Sequence, residues 1–503
     1  MPRFDRSLIF SAASGLLLAA AFPRPDVYPL AWVALIPLLL VMKQRPFASG
    51  YVCGISYFAA VLYWLNLVMT TYGGLNLVFS LLAYLMLLTY LAVFFGVSSW
   101  LACVFEKQFK LPYLLSFPVL WVALEYLRGL LLTGFPWALL GYSQQNFSLA
   151  IQSADMTGVY GVSLLLVAVN CAWAWIIQQP RNRYAWLGLV CTLLMSISHF
   201  GYGAWRQNQP LDARQEQLNV ALIQGNVDQA VKWDPQYRQT TVDKYLRLSA
   251  EAAQQKPDLL IWPEAATPFF LQEKIPLAEQ VRQVPLRQNS YLLVGSPAYQ
   301  QLDDGKVDFF NSAYLFSPQG KQLGRSDKIH LVPFGEYVPL GKLLSFINKL
   351  VVGVGDFSPG IVKPLSLNGH SLGVLICYEV IFPELARDYV RHGAGLLVNL
   401  TNDAWFGHSS APYQHLAMAR FRAIENRIWL ARAANTGISA FIAPSGKVTA
   451  AGPIFEELYL SGTVGLGSEP TFYTRFGPVM AQVCLLLSVL GAIALAWRQR
   501  RGN

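Results

Sequence analysis

The chain has 503 residues, of which 54% are hydrophobic and only 13% charged, with a formal net charge of +9. Soluble domains carry roughly 25% charged residues, so this composition excludes an ordinary soluble protein. The positive balance does not mark a nucleic-acid binder, because no RNP, zinc-finger or P-loop pattern accompanies it.

Residues 1 to about 205 are mostly apolar, the middle has the mix of a soluble domain, and the last ~30 residues are apolar again. Eight stretches are predicted to span a bilayer: 7–22, 26–42, 49–70, 75–104, 112–133, 157–178, 184–204 and 475–497. The first has the length of a signal peptide, but it lacks a small-x-small site ahead of a soluble segment and another span follows at once. The fourth is long enough to tilt. Basic residues set the orientation. Arg3 and Arg6, Lys43 and Arg45, Lys107 and Lys110, Arg181 and Arg183, and Arg498, Arg500 and Arg501 occupy alternate connections, which are predicted to be cytoplasmic. The opposite side has Arg24 and the uncharged turn Tyr72-Gly73-Gly74. The expected organisation is a membrane domain of seven transmembrane helices (1–205), an outer domain (206–470), and a C-terminal transmembrane helix with a basic tail (471–503). Both termini are then cytoplasmic and the outer domain faces the periplasm of a Gram-negative bacterium. The first 205 residues hold ten Lys/Arg against five Asp/Glu, so the net charge follows from topology.

Within the fifth span, Glu125 and Arg128 stand three apart. Ionisable residues inside a membrane are paired or functional; these two are expected either to form a mutual ion pair or to lie near a lipid headgroup path. Phe135, Trp137, Tyr142 and Phe147 follow in a loop suited to the membrane interface. In the outer domain, strand-like runs recur at Leu218 to Gln224, Leu259 to Trp262, Tyr291 to Gly295, Ala313 to Phe316, Leu372 to Ile376, Leu396 to Leu400 and Ile438 to Ala443. Amphipathic helical stretches, such as Pro235 to Gln255 and Tyr413 to Arg427, lie between them, and that alternation argues α/β layering.

Three stretches carry candidate chemistry. DLLIWPE is an apolar strand ending in Glu264; SDKIHLVPFGEYVP sets Lys328, His330 and Glu336 in a loop; SLGVLICYEVIFPELAR places Cys377 between a buried strand and a helix opened by Pro383. Cys53, Cys103, Cys171, Cys191 and Cys484 lie in spans and read as packing residues. Cys377 has no partner cysteine in the outer domain, which suits a reactive thiol, although a buried structural cysteine is the plainer reading. A thiol nucleophile needs a base, and acyl transfer needs a cation or donors for the developing oxyanion. Glu264 can supply the first and Lys328 the second. The Tyr378 N–H is a candidate for the oxyanion site, and Glu379 and Glu336 for positioning Lys328. Trp233 and Trp405, each within two residues of an aspartate (Asp234 and Asp403), are packing residues or substrate contacts. The Gly335 to Pro359 segment, with Leu344 and Phe346, is either a core helix or a membrane-dipping arm that meets substrate. His330, His408 and His415 match no metal-binding spacing, so no metal is expected.

The order PE (Pro263-Glu264), K-I-H-L-V-P-F-G-E (Lys328 to Glu336) and C-Y-E-V-I-F-P (Cys377 to Pro383) resembles the nitrilase superfamily, and most closely its membrane branch, the bacterial apolipoprotein N-acyltransferases. QGN at Gln224 to Asn226, KWDP at Lys232 to Pro235, NDAWFG at Asn402 to Gly407 and EYLRGLLLTGFPW at Glu125 to Trp137 fit the same branch. The resemblance implies an α-β-β-α sandwich of two sheets joined to a multi-pass helical membrane domain. It implies a Glu264–Lys328–Cys377 triad and no cofactor. It also implies a phospholipid acyl donor, a diacylated apolipoprotein acceptor, and a thioacyl-enzyme between two half-reactions. A membrane-anchored nitrilase-type amidase, with water as acceptor, would use the same three residues.

Overall fold

A computed structural model describes residues 5–209, 216–337, 357–467 and 470–501. They fall into two compact units, one within 1–66, 77–209 and 475–503, the other within 67–76 and 210–474.

The first unit is helical. Four helices, Leu77–Phe109, Val159–Gln178, Arg183–Gln207 and Val479–Arg500, are long and apolar enough to cross a membrane. The pair Pro46–Val61 and Trp64–Tyr72 qualifies jointly but bends by 52°. Three expected spans are shorter than their apolar runs. Arg6–Ala20 has 15 residues, Tyr113–Arg128 has 16, and the 26–42 run is a 3₁₀ turn, Tyr28–Trp32, followed by a six-residue helix, Ile36–Val41. Pro29 and Pro37 lie in the first turns of those last two pieces; a proline there has no N–H to extend the preceding turn, so the run breaks into segments. Helix packing uses small residues: a Cβ on Gly54 would stand 2.8 Å from Ala92 Cα, which leaves no room for one. Large apolar side chains such as Phe79, Leu82 and Met86 point outward instead.

Glu125 and Arg128 make no ion pair with each other. Arg128 Nη1 donates to the carbonyls of Phe135 (3.1 Å) and Trp137 (2.9 Å), and Glu125 Oε1 accepts from Leu140 N (2.7 Å). The two charges thus pin one loop backbone that would otherwise leave polar groups unsatisfied in an apolar interior.

The second unit contains two six-stranded sheets. The first is built from β1 (Gln217–Gln224), β2 (Leu259–Trp262), β3 (Tyr291–Gln301), β4 (Val307–Phe316) and β5 (Gln322–Asp327). The second has β6 (Leu365–Leu367), β7 (His370–Ile376), β8 (Leu396–Thr401), β9 (Leu430–Ala434), β10 (Ala440–Ile442) and β11 (Val448–Ala451); β12 (Leu458–Gly465) returns to the first. The orders are β12-β1-β2-β3-β4-β5 and β11-β10-β9-β8-β7-β6. The central strands β1–β3 and β7–β9 are parallel, and the flanking pairs are antiparallel.

Alternation along the strands makes the layers. Val220, Leu222, Leu259, Ile261 and Leu293 meet Val374, Ile376, Val398, Leu400 and Ala431 between the sheets. The other face of β1–β3, with Ala221, Ile223, Leu260, Trp262 and Val294, is covered by Val242, Tyr245 and Leu248 of the helix Arg238–Ala253. Helices Pro383–Arg391 and Ala411–Asn426 pack against the second sheet, completing an α-β-β-α sandwich. The strands β5, β6, β9, β11 and β12 are additions to the sequence expectation.

Candidate active site

The carboxyl ends of the parallel strands β2 and β7 and of the edge strand β5 deliver the three candidate residues, and strand carboxyl ends are where open α/β sheets place their sites. Glu264 lies two residues beyond β2, Cys377 directly follows β7, and Lys328 directly follows β5. Gly295 on β3 makes room for the Glu264 turn: a Cβ there would collide with the Pro263 carbonyl and sit 2.8 Å from Glu264 Cα. Ala265 is left-handed (φ 45°), so the chain turns sharply just after Glu264.

Glu264 is 7% exposed and Lys328 1% exposed. Lys328 Nζ stands 3.6 Å from Glu264 Oε1 and 2.9 Å from Glu336 Oε2. Asn311 on β4 bridges the two carboxylates, its Nδ2 donating to Glu264 Oε1 (2.8 Å) and Glu336 Oε1 (2.9 Å). Glu264 Oε2 accepts from Asn402 N (2.9 Å), and Glu336 Oε2 from Val332 N (2.9 Å). Burial would pull the Lys328 ammonium down, but Glu336 first and then Glu264 and the Cys377 sulfur more than reverse this, so its pKa is raised and it stays a cation.

Cys377 is half-buried and left-handed, with φ 54°. That conformation is costly for a residue with a Cβ and is common where a nucleophile must be presented. Burial, then the nearby Glu264 charge, pushes the thiol pKa up, against the pull of Lys328. The resting group is therefore a thiol, and an attack by sulfur needs a base at that moment. The turn is held from behind. Asn399 Nδ2 (3.4 Å) donates to the Cys377 carbonyl, and His415 Nε2 lies 3.2 Å from it. Arg432, fully buried on β9, donates to Asn399 Oδ1 and, through Nη2, to Asp403 Oδ2 (2.6 Å), with His415 Nδ1 3.0 Å away. Burial and the Arg432 charge lower the His415 pKa, against the pull of Asp403, whose Oδ1 lies 3.1 Å from Nδ1.

Glu379 ties the nucleophile turn to the lysine loop. Its Oε1 accepts from Ile329 N (2.5 Å) and His330 N (3.0 Å), and its Oε2 from Ile376 N (2.6 Å). It acts on Lys328 through the backbone of the next two residues, whereas Glu336 bonds the ammonium directly. Burial pushes the Glu379 pKa up to about 7, against those N–H groups and Lys328. Tyr378 packs edge-on against Phe382 (5.1 Å between ring centroids), and His330 stacks on Phe382 (3.7 Å). Burial, with the Lys328 charge, holds His330 down to about 4, so it is neutral.

The other candidates divide. Trp405 is half-buried, edge-on to Tyr72 at 5.4 Å. Trp233 is half-buried and follows Lys232, whose Nζ donates to the Glu264 carbonyl (3.3 Å). Leu344 and Phe346, with residues 338–356 of the expected arm, lie outside the described residues. The sequence reading passed over Asn311, Arg432 and Lys232. Lys232 had a signal available, since it opens the KWDP motif; Asn311 and Arg432 sit in strands with no motif around them.

Glu264 and Lys328 share one buried network, and Glu379 ties the Cys377 turn to the lysine loop; the set suits acyl transfer through a covalent thioester, with a thiol to attack, a carboxylate to take its proton, and an ammonium for developing negative charge. A carbon-nitrogen hydrolase family model matches residues 219–468, and a model of the apolipoprotein N-acyltransferase N-terminal domain matches residues 14–172. The curated apolipoprotein N-acyltransferase of Geobacter metallireducens is 46% identical, covering 99% of this chain and 98% of its own. That of Nitrosomonas europaea is 34% identical, covering 98% of each chain. Among solved structures, a Saccharomyces cerevisiae member of branch 10 of the nitrilase superfamily is 19% identical, covers 50% of this chain and 90% of its own, and has a TM-score of 0.39.

Proposed function

We propose, because this chain belongs to the apolipoprotein N-acyltransferase family and carries a carbon-nitrogen hydrolase domain, that it moves a fatty acyl chain from a phospholipid to the N-terminal amine of a diacylglyceryl-cysteine lipoprotein. The observation that carries this reading is the buried Glu264–Lys328 pair, with Glu379 tying its lysine loop to the left-handed Cys377 turn. Glu264 takes the proton from Cys377 as sulfur adds to the acyl carbonyl carbon. The carbonyl oxygen becomes an oxyanion, held by Lys328 and local N–H groups, Tyr378 N–H among them. Collapse expels the glycerol oxygen, which receives the proton from Glu264, and lysophospholipid leaves a thioester on Cys377. The α-amine of the acceptor then attacks that thioester, Glu264 takes its proton, and the thiol returns. Glu336 and Glu379 hold Lys328 and its loop in place, and Trp233 and Trp405 contact substrate. No cofactor enters any step.

The membrane organisation belongs to the same proposal: eight spans, a membrane domain over 1–205, a periplasmic catalytic domain over 206–470, and a C-terminal span with cytoplasmic tail over 471–503. The five basic clusters on alternate connections support it. A reporter active only outside the cytoplasm should work when fused near residue 210 and stay silent at residue 503. The reverse pattern would sink the topology.

The half-reactions test the chemistry. With phospholipid alone, the purified protein should gain the mass of one acyl chain at Cys377, and neutral hydroxylamine should remove it, as it removes thioesters. Adding a diacylated lipopeptide with a free N-terminal amine should discharge the adduct into N-acyl product, while an N-blocked lipopeptide should leave it in place. Discharge into free fatty acid at the same rate with or without acceptor would favour the amidase-type reading, with water as acceptor.

A further inference from the structure

The proposed reaction gives no part to Lys232, whose ammonium bonds the Glu264 carbonyl. Lys232 lies in the turn between β1 and the helix Arg238–Ala253, and it is 1% exposed. Among the described residues its ammonium has one hydrogen-bond partner, the Glu264 main-chain carbonyl at 3.3 Å. An ammonium has three donors, so two have no partner among the described residues. A buried cation held by a single long bond to a neutral carbonyl is costly, and an apolar side chain or a glutamine would serve as an anchor for less.

The charge balance indicates what those donors face. Lys328 is already opposed by the carboxylates of Glu264 and Glu336, at 3.6 and 2.9 Å. Any thiolate or oxyanion formed at Cys377 adds a further negative charge to that cluster. Lys232 is the second cation there, and the groups whose fields reach it are Glu264 and Cys377. The other charged groups around that pair are Lys328 and Glu336 next to Glu264, Asp403 acting on Cys377, Glu379 bonded to Ile376 N, and Asp228 and Asp234 on the lysine's own segment.

We propose that Lys232 is a further catalytic residue, whose open N–H donors and charge stabilise the anion formed when Cys377 adds to the acyl carbonyl. This rests on the thioester reading above. In that step the C=O π pair moves to oxygen as the S–C bond forms; the oxyanion takes a hydrogen bond from Lys232 and reverts when the C–O bond to glycerol breaks. Lys232 keeps its proton throughout. Burial, opposed by Glu264 and Cys377, lowers its pKa to about 8, so the cation is present at neutral pH and lost just above it.

The test follows acyl-enzyme formation by mass, with phosphatidylglycerol in detergent micelles and no acceptor. Lys232→Gln keeps a donor for the Glu264 carbonyl but removes the charge, and Lys232→Met removes both. Both should acylate ~10²-fold or more slowly, with the half-saturating phospholipid concentration unchanged. Lys232→Arg should recover part of the rate and lose the wild type's alkaline limb. A Gln variant as fast as wild type would overturn the proposal and leave Lys232 as an anchor. If the variants do not fold, the wild-type pH profile decides: the rate should fall as pH rises past about 8, and a rate that holds level well above that pH would equally overturn it. A wild type that forms no Cys377 adduct at any pH would instead overturn the thioester reading itself.

Discussion

Cys377→Ala should carry no acyl group under any condition, and Glu264→Gln should form the adduct ~10²–10⁴-fold more slowly than wild type, the usual worth of general-base help. The two losses differ in kind. Without sulfur there is no atom to acylate, so the alanine variant should bind phospholipid and return it unchanged. In the glutamine variant the sulfur remains, but burial has pushed its pKa up, and no carboxylate is left to take the proton. Glutamine also fits the site badly. Both Glu264 oxygens accept hydrogen bonds, from Asn311 Nδ2 at 2.8 Å and Asn402 N at 2.9 Å. An amide would set its NH₂ against one of those donors. Asn311 cannot turn over to compensate, because its Nδ2 also serves Glu336 at 2.9 Å. Raising the pH should restore neither variant, because burial still keeps the thiol protonated once the Glu264 charge is gone. A Gln variant that acylates at the wild-type rate at neutral pH would remove Glu264 from the role of base. An adduct on another residue in Cys377→Ala would remove Cys377 from the mechanism.

The parts of the site that could be read from sequence are those whose signal is local. An apolar run ending at Ile376 and a proline at Pro383 suffice to put Cys377 at a strand-to-helix turn, and the fold has that turn, with a 3₁₀ segment, Cys377–Ile381, between strand and helix. Glu264 closes a four-residue apolar strand that is buried throughout. What pairs with these residues is not local. β9 reads LARAA, with no branched apolar run and a charge in its middle, because Arg432 is buried by pairing with Asp403, Asn399 and His415 from elsewhere. β12 is mostly half-buried and joins β1 from more than two hundred residues away, so neither its composition nor its neighbours in sequence announce it. In the helical unit, hydropathy sees apolar length but not where prolines interrupt hydrogen bonding, and runs such as 26–42 therefore fold as broken pieces. Glu125 and Arg128 show the same limit: spacing brings them to one helix face, while the loop at 135–140 decides what each one binds.

Lys328 should tolerate neither arginine nor methionine. Arginine keeps the charge, but its planar fork matches a carboxylate edge, and Glu336 offers both oxygens at 3.0 and 2.9 Å. A guanidinium locked onto Glu336 would be bulkier and would no longer aim one free N–H at the reacting carbonyl. Acyl-enzyme formation in Lys328→Arg should therefore fall by ~10²-fold or more at every pH, the usual effect of losing one oxyanion donor. Methionine removes the cation and leaves Glu264 and Glu336 sharing the Asn311 amide with no positive charge between them. No cation is then left to meet the developing oxyanion, so Lys328→Met should lose at least as much as Lys328→Arg, ~10²-fold or more. Adding Glu336→Gln to Lys328→Met removes the carboxylate that the lysine neutralised, and should not restore the rate, because the missing donor is still missing. Normal turnover in Lys328→Arg would reduce Lys328 to a structural cation. A Lys328→Met variant returned to the wild-type rate by Glu336→Gln would show that the lysine serves only to neutralise that carboxylate.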